Sequence, residues 1–252
     1  MPTLDHQKTG RILVAGSGPA GLIAALGFAE AGFAVTLVGP EANGQDGRTT
    51  ALMNPALKVL ERLGVLSELG PQAAPLKVMR IVDATKRLIR SPTVTFRATE
   101  IGEEQFGLNL PNNVLVPALA RAVAAHAGIE WRKSMVERWR LDATHAHAVL
   151  ADGSEISASL AVAADGRLSP AREAAGIAAS VRSYPQAALV LNFGPRSDPA
   201  FTATEFHTET GPFTQVPLPG NRSSLVWVVK PETAKELAAL DDATLSKRVE
   251  EQ

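Results

Sequence analysis

The sequence contains no cysteine among its 252 residues. Disulfide bonds, thiolate ligands for a metal ion and a cysteine nucleophile are therefore excluded as sources of stability or chemistry. The first ten residues are polar and lack the basic segment followed by an apolar segment that a secretory signal needs. Both observations favour a cytoplasmic protein.

Strong net charge is also missing. The chain has 25 lysines and arginines against 26 aspartates and glutamates, so its net charge of -1 provides no basic field for nucleic acid or anionic lipid as a main partner. Residues 12–29 carry no charged side chain, which is nearly the length of a membrane span. Gly16, Gly18, Pro19 and Gly21 interrupt that segment, and a lipid-exposed helix would need continuous hydrogen bonding there. The interruptions argue against a transmembrane helix.

Residues 11–38 have the pattern of a strand, a helix and a second strand. The apolar run at 11–15 predicts a buried strand, and the spacing of Leu22, Ile23 and Leu26 predicts a helix that begins near Pro19. Gly32 ends that helix, and residues 34–38 predict the second strand. A unit of this kind has parallel strands.

The turn between the first strand and the helix reads Gly16-Ser17-Gly18-Pro19-Ala20-Gly21, the glycine pattern of dinucleotide-binding turns. The first glycine makes the tight turn, the second lets a pyrophosphate approach the backbone, and the third lets the helix pack on the strand. A pyrophosphate there would lie at the positive end of the helix dipole. The alternative is a glycine-rich turn without a ligand. The carboxylate expected at the end of the second strand is absent: Gly39 stands there, and Glu41, beyond a proline, is interpreted as a solvated loop acid.

The rest of the chain alternates between helical and strand patterns. Helices are predicted over residues 50–63, 112–127 and 232–240. Strands are predicted within 76–89, 94–96, 131–139, 146–150, 156–163 and 184–229, with a hairpin turn at Asp152-Gly153. This order predicts an α/β fold with two interleaved domains, one from 1–75 and 110–181, the other from 76–109 and 182–252.

Three further segments resemble a known family. The run 46–52 with the helix end at 60–65, and the segment from Gly211 to Trp227, resemble the hydroxylases of ubiquinone biosynthesis. Residues 163–172 resemble the Asp-Gly motif of the class A FAD-dependent aromatic monooxygenases, which share the fold of para-hydroxybenzoate hydroxylase. The resemblance covers nearly the whole chain. It implies a Rossmann-type FAD-binding domain interleaved with a β-sheet-rich substrate domain.

The resemblance also implies a set of cofactor-binding residues, and it assigns no catalytic residue. The set is Gly16, Ser17, Gly18, Pro19, Ala20, Gly21, Arg48, Asn112, Val136, Asp165 and Gly166. Plainer roles remain open for three of them: Arg48 as a solvated loop residue, Asn112 as a helix cap and Asp165 as a turn residue at a strand end. His145 and His147 alternate on one face of a short strand and are interpreted as a surface pair, since no carboxylate or third ligand is identified nearby in sequence. No metal site is predicted.

The activity that the resemblance implies is hydroxylation of a polyprenyl phenol in ubiquinone biosynthesis. In that family NADH or NADPH reduces FAD, and a flavin hydroperoxide formed with dioxygen transfers one oxygen atom to the aromatic ring. So apolar a substrate implies peripheral contact with the inner membrane or with other enzymes of the pathway.

The end of the chain differs from the family. Its members continue with a Gly-Asp-Ala-x-His segment, which this sequence lacks. We therefore expect a C-terminal truncation, and expect the chain alone to be largely free of flavin and inactive. Two alternatives stay open: another flavoprotein oxidoreductase, such as a halogenase or a reductase, and a truncated non-catalytic remnant.

Overall fold

The computed structural model describes residues 10–41 and 44–252, which contain sixteen strands and seven α-helices. The strands are β1 (Arg11–Ala15), β2 (Ala34–Val38), β3 (Thr49–Met53), β4 (Ala74–Leu76), β5 (Val78–Asp83), β6 (Val94–Arg97), β7 (Gly107–Pro111), β8 (Ile129–Arg132), β9 (Val136–Leu141), β10 (Ala146–Leu150), β11 (Glu155–Ala158), β12 (Leu160–Ala163), β13 (Ala187–Phe193), β14 (Thr202–His207), β15 (Pro212–Leu218) and β16 (Arg222–Val229). The helices are α1 (Pro19–Glu30), α2 (Asn54–Arg62), α3 (Leu66–Leu69), α4 (Asn112–Ala125), α5 (Pro170–Ala174), α6 (Pro231–Ala238) and α7 (Asp242–Glu251).

The chain forms two compact units whose segments alternate along the sequence. Unit 1 consists of Met1–Asp46, Lys58–Pro71 and Asn112–Ser180, and unit 2 consists of Gly47–Leu57, Gln72–Pro111 and Val181–Gln252. Residues 47–57, which the sequence analysis assigned to the first domain, group with unit 2 because β3 forms an antiparallel ladder with β7.

The core of unit 1 is a parallel sheet with the strand order β12-β1-β2-β8. Parallel sheets are buried on both faces, which explains why β1 and β2 are almost continuously apolar. Helices α1 and α4 pack on the sheet and on each other. The small antiparallel sheet β11-β10-β9 also covers it: Leu13 and Val38 form one buried cluster with Ala148, Leu150 and Ala158.

Unit 2 contains a six-stranded sheet with the order β13-β16-β15-β14-β5-β6 and a three-stranded sheet, β3-β7-β4. All neighbours in the larger sheet are antiparallel except β5 and β14. Its buried cluster combines strand residues, among them Leu225 and Trp227, with Leu237 of α6 and with Leu245 and Val249 of α7. The two helices therefore shield the apolar side chains of β13, β15 and β16 from water.

The predicted elements of the first forty residues are confirmed, since β1, α1 and β2 have the predicted bounds. The predicted helix over 50–63 is wrong in its first part: Thr49–Met53 is a strand and the helix begins at Asn54. Pairing with β7, distant in sequence, overrides the local helical pattern. The strand predictions over 131–139 and 156–163 each divide into two strands, and Leu88 and Ile89 lie in a loop beyond the end of β5.

The uncharged segment 12–29 is the end of β1, the glycine turn and most of α1. Among the helices in the described part of the chain, none has the length and apolar character needed to cross a membrane.

The loop between β5 and β6 is held at its base by Asp83. Its carboxylate accepts hydrogen bonds from Thr85 Oγ1 at 2.7 Å, from Ser91 N at 2.9 Å and from Thr85 N at 3.1 Å. These bonds favour the ionised form and lower the pKa of Asp83 to about 2, with the Thr85 hydroxyl as the largest cause and the Ser91 amide next. Both ends of the loop are thereby fixed to one side chain.

The lowered pKa of Asp83 predicts how the stability of the protein changes at acid pH. Because the folded-state pKa lies below the ordinary value of 3.8, the stabilisation is complete above that value and is lost as the pH falls through about 2. An NMR titration should show the Asp83 carboxyl titrating near 2, and Thr85→Val, which removes the hydroxyl donor, should raise the midpoint towards 3.8. An unchanged midpoint in the variant would assign the shift to another cause.

The apolar cluster of unit 2 predicts that substitutions on the two faces of its sheet differ in their effect on stability. Leu225 is fully buried within the cluster, whereas Val190, on the paired strand β13, is 40% exposed. Leu225→Ala should lower the free energy of unfolding by about 2–5 kcal/mol, through lost burial and the cavity left behind. Val190→Ala should cost less than about 1 kcal/mol. Urea unfolding curves measure both, and equal losses would contradict this assignment of the faces.

Candidate functional site

The glycine turn after β1 is shaped by close backbone contacts. Gly16 has a φ of +112°, and its N–H donates to the carbonyl of Val38 at 2.7 Å. A Cβ at Gly16 would overlap the carbonyl of Ala164, and one at Gly21 would overlap the carbonyl of Gly16. These two positions therefore require glycine, the first for its conformation and its neighbour, the second for packing of helix on turn.

Gly18 differs from its neighbours because the space beside it is open. It precedes Pro19, the first residue of α1, and a Cβ added to it would have no heavy atom of residues 10–41 or 44–252 within 4 Å. The first turn of α1 contains no acidic residue. Unsatisfied N–H groups and the helix dipole favour an anion at such a helix start. The turn thus offers an accessible backbone surface where a pyrophosphate can approach.

The Asp-Gly motif lies directly beside this turn. The ladder of β1 and β12 ends with Ala15 opposite Ala163, and Ala164 N donates to the carbonyl of Ala15 at 2.7 Å. Asp165 N lies 3.0 Å from the position of a Cβ on Gly16. The glycine turn and the Asp-Gly motif therefore converge in the fold.

The side chain of Asp165 accepts a hydrogen bond at the start of α5. Its Oδ2 accepts a hydrogen bond from Ala171 N at 3.1 Å, and Ser169 Oγ accepts from Arg172 N at 3.0 Å. Gly166 follows with a φ of +87°. This geometry supports the plainer role of Asp165 in shaping the turn, and it holds the backbone of the motif against Gly16.

The end of β2 shows why no carboxylate stands there. A Cβ on Gly39 would lie 2.5 Å from Ser17 Oγ and 2.7 Å from Ser17 N. Ser17 Oγ donates to the carbonyl of Pro40 at 2.5 Å, and Trp131 Nε1 donates to the carbonyl of Gly39 at 2.9 Å. Ser17 therefore occupies the space that a side chain at position 39 would need, and the turn is bonded to the end of β2 through its own hydroxyl.

Glu41 is paired at the surface. Its Oε1 lies 2.5 Å from Lys133 Nζ, and both side chains are more than half exposed. The Lys133 ammonium also lies 5.9 Å from the centre of the Trp131 ring. This geometry agrees with the interpretation of Glu41 as a solvated loop acid.

Asn112 lies at the start of α4, and its side chain is buried. Its Nδ2 donates to Asp46 Oδ2 at 2.9 Å. Asp46, to which the sequence analysis gave no role, thus positions Asn112 within unit 1. Arg48 belongs to unit 2, where it is exposed just before β3. Val136 begins β9 and packs against the apolar cluster around Leu13.

The expectation that no carboxylate lies near the two histidines is wrong. His147 Nε2 lies 2.8 Å from Asp142 Oδ2, and its Nδ1 lies 3.1 Å from Glu155 Oε1. The Thr144 amide, followed by the His147 side chain, holds the pKa of Asp142 well below its usual range. The antiparallel pairing of β10 with β11 brings Glu155 into this group. Within residues 10–41 and 44–252, no cluster of histidine and carboxylate side chains has an arrangement that could hold a metal ion.

Comparison with known protein families gives a match over nearly the whole chain. Residues 9–252 match a protein family described as "FAD binding domain". The chain belongs to this family. The resemblance inferred from the motifs is thereby confirmed. The turn with Gly16, Gly18 and Gly21 is called the cradle below.

Two relatives and one solved structure extend this finding. The chain is 32% identical over 245 residues to a protein of Rhodospirillum rubrum named ubiquinone hydroxylase UbiL, covering 94% of this chain and 56% of that protein. It is 30% identical to the 3-demethoxyubiquinol 3-hydroxylase of Escherichia coli, covering 98% of this chain and 64% of that protein. The crystal structure of PqsL from Pseudomonas aeruginosa superposes with a TM-score of 0.79 at 20% identity, over 95% of this chain and 66% of that one. The chain therefore spans between about half and two-thirds of the length of these proteins.

The contact between Ser17 and Gly39 predicts a coupled pair of substitutions. Gly39→Ala should lower the free energy of unfolding by about 1–3 kcal/mol because the new Cβ overpacks against Ser17. Adding Ser17→Gly should recover part of this loss and not all of it, since Ser17 N remains 2.7 Å from the new Cβ.

A double-mutant cycle of unfolding measurements checks this coupling. Additive losses for the two substitutions would mean that position 39 relaxes away from Ser17. Gly47→Ala serves as the control, because a Cβ there has open space around it.

Proposed function

We propose that this chain is the cofactor-binding and part of the substrate-binding region of a FAD-dependent monooxygenase that hydroxylates a polyprenyl phenol in ubiquinone biosynthesis. Support comes from the family, whose cofactor is FAD, and from relatives that are named as hydroxylases of ubiquinone or its precursors. The observation that carries the proposal is the cradle at Gly18, open beside the start of α1 and flanked by the Asp-Gly motif. NADH or NADPH, dioxygen and the phenol are the expected co-reactants.

In this proposal the residues of the glycine turn hold the pyrophosphate. Gly16 and Gly21 keep the turn compact, Gly18 leaves room for the phosphates, and Pro19 and Ala20 place the first N–H groups of α1 around them. Ser17 fixes the turn to Pro40. Asp165 and Gly166 close the side of the cradle, with Asp165 acting as a positioning residue through its bond to Ala171. FAD, when bound, supplies electron transfer from the nicotinamide and the activation of dioxygen.

The other cofactor-binding residues in the proposal act farther along FAD. Asn112, oriented by Asp46, is suited to donate to an oxygen of the pyrophosphate or ribityl chain. Val136 offers an apolar contact next to the cluster of Leu13 and Val38. Arg48 is proposed to reach the flavin side of the cofactor. Unit 1 is proposed as the FAD-binding domain and unit 2 as the substrate domain, in a cytoplasmic protein with peripheral contact to the membrane or to partner enzymes.

The ribose end of the proposed site differs from the common dinucleotide pattern. Gly39 provides no carboxylate for the ribose hydroxyls, and Glu41 is paired with Lys133. Ribose recognition is therefore expected to contribute less to binding than the pyrophosphate cradle does. Substitutions in the cradle should therefore have the largest effect on FAD affinity.

Gly18, at the start of α1, and Gly27, within α1, provide a matched test of FAD binding. Gly18 and Gly27 both have open space for a Cβ, but only Gly18 lies at the cradle. Gly18→Ala should weaken FAD binding about tenfold or more, equivalent to about 1.4 kcal/mol, because the methyl group occupies the space of a phosphate. Gly27→Ala should leave FAD binding unchanged and stabilise α1 by up to about 1 kcal/mol.

Quenching of FAD fluorescence on titration with each protein measures the affinities, and thermal unfolding checks the fold. Equal affinities of the two variants for FAD would contradict the cofactor assignment. Product analysis with a phenol, NADPH and dioxygen, on a protein that also carries the family's Gly-Asp-Ala-x-His segment, then distinguishes a hydroxylase from another flavoprotein oxidoreductase.

A further inference from the structure

The tip of the loop between β5 and β6 exposes two large apolar side chains. Leu88 is 102% exposed and Ile89 is 86% exposed, the highest values for large apolar residues in the described part of the chain. Soluble proteins expose single apolar residues routinely, but two adjacent aliphatic side chains at a projecting tip, with no cover, mark an interaction surface.

The tip is held in shape by both ends of the loop. Asp83 accepts hydrogen bonds from Thr85 and from Ser91, and Glu209 accepts one from the backbone N–H of Lys86. The ordering of the loop is therefore already present in the free protein. A preordered loop loses less conformational entropy on binding than an unstructured one, so its apolar side chains contribute more of their burial free energy.

Three cations surround the apolar pair. Lys86, Arg87 and Arg90 are exposed, while the nearby carboxylates of Asp83 and Glu209 accept hydrogen bonds from the backbone N–H groups of Ser91 and Lys86. The three cations thus lie within residues 86–90, and the two carboxylates are bonded at the two ends of that segment. The whole-chain net charge of -1 conceals this local group of cations.

An anionic lipid surface fits this arrangement. Aliphatic side chains enter the boundary between headgroups and acyl chains, and long lysine and arginine side chains reach back to the phosphates. Each lysine or arginine near an anionic surface contributes about 1 kcal/mol, in addition to the burial of the inserted side chains. A protein partner would need an interface of about 800 Å² on each side, which two side chains at a tip do not provide.

We propose that the segment Lys86–Arg90, here called the basic-apolar tip, is a membrane-contact site that inserts Leu88 and Ile89 into an anionic bilayer surface. The inference rests on the loop alone and does not depend on the proposed activity. If that activity holds, the same contact brings the protein to the phase in which a polyprenyl substrate dissolves.

Sedimentation of the 252-residue chain with lipid vesicles tests the proposal. Binding to vesicles of phosphatidylcholine with phosphatidylglycerol should exceed binding to phosphatidylcholine alone and should weaken as salt is added. Leu88→Ser with Ile89→Ser should lower the partition coefficient about tenfold or more. The matched control is Ile101→Ser, an exposed apolar residue close to Glu100 and Glu103, which should have no effect.

A second pair of variants tests the charges. Arg87→Ala with Arg90→Ala should lower binding to the anionic vesicles about tenfold or more, at about fivefold for each cation. Lys247→Ala with Arg248→Ala, two exposed cations of α7, removes the same charge elsewhere and should leave binding nearly unchanged. Equal losses in the two pairs would reduce the effect to net charge and overturn the site.

A direct probe is possible because the chain has no cysteine. Leu88→Cys labelled with an environment-sensitive fluorophore should shift its emission to the blue when anionic vesicles are added, whereas the same label at Ile101→Cys should not. Absence of the shift at position 88 refutes insertion even if the serine variants fold poorly. If the tip variants change self-association in light scattering and leave vesicle binding intact, the tip is a protein contact and the membrane proposal is wrong.

Discussion

The parallel pairing of β1 with β2 on one side and with β12 on the other is the constraint on which the site depends. Both ladders continue past the ends of the strands: Gly16 N bonds to Val38, and Ala164 N bonds to Ala15. The glycine turn is therefore fixed at the carboxyl edge of the sheet, between two backbones that approach it closely. A side chain at Gly16 or Gly21 would break this contact, so the glycines there serve the backbone as much as a ligand.

Local sequence patterns correctly predicted the elements whose contacts lie close together in sequence. The βαβ unit follows from apolar runs, a proline at the first helical position and a terminating glycine, all within thirty residues. The strand β3 was mistaken for helix because its partner β7 lies more than fifty residues away, and no local pattern records that pairing. The same limit explains the carboxylate of Glu155 beside His147, since the hairpin register sets that contact.

Within the candidate site, the sequence predicted the glycine turn and the Asp-Gly motif but not the contacts that their side chains make. Convergence of the glycine turn with Asp165 follows from family resemblance and is found in the fold. The bond of Asp46 to Asn112 and the contact of Ser17 with Gly39 depend on side-chain geometry between segments distant in sequence. Gly39 stands at the end of β2, where a carboxylate for the ribose is expected. In the structure a glycine is also required there because Ser17 occupies the space of a side chain.

The interleaving of the two units has a consequence for how the chain folds during synthesis. The middle strand β1 acquires its neighbour β12 only after residue 163 has been made, and β5 finds its parallel partner β14 only after residue 207. Contacts of such long sequence separation close large loops and form late, and they leave strand edges exposed in the meantime. One edge of β1 and one edge of β5 therefore stay unpaired through much of translation, although β2 and β6 can already pair with their other edges. Exposed strand edges of this kind make an incomplete chain prone to edge-to-edge aggregation.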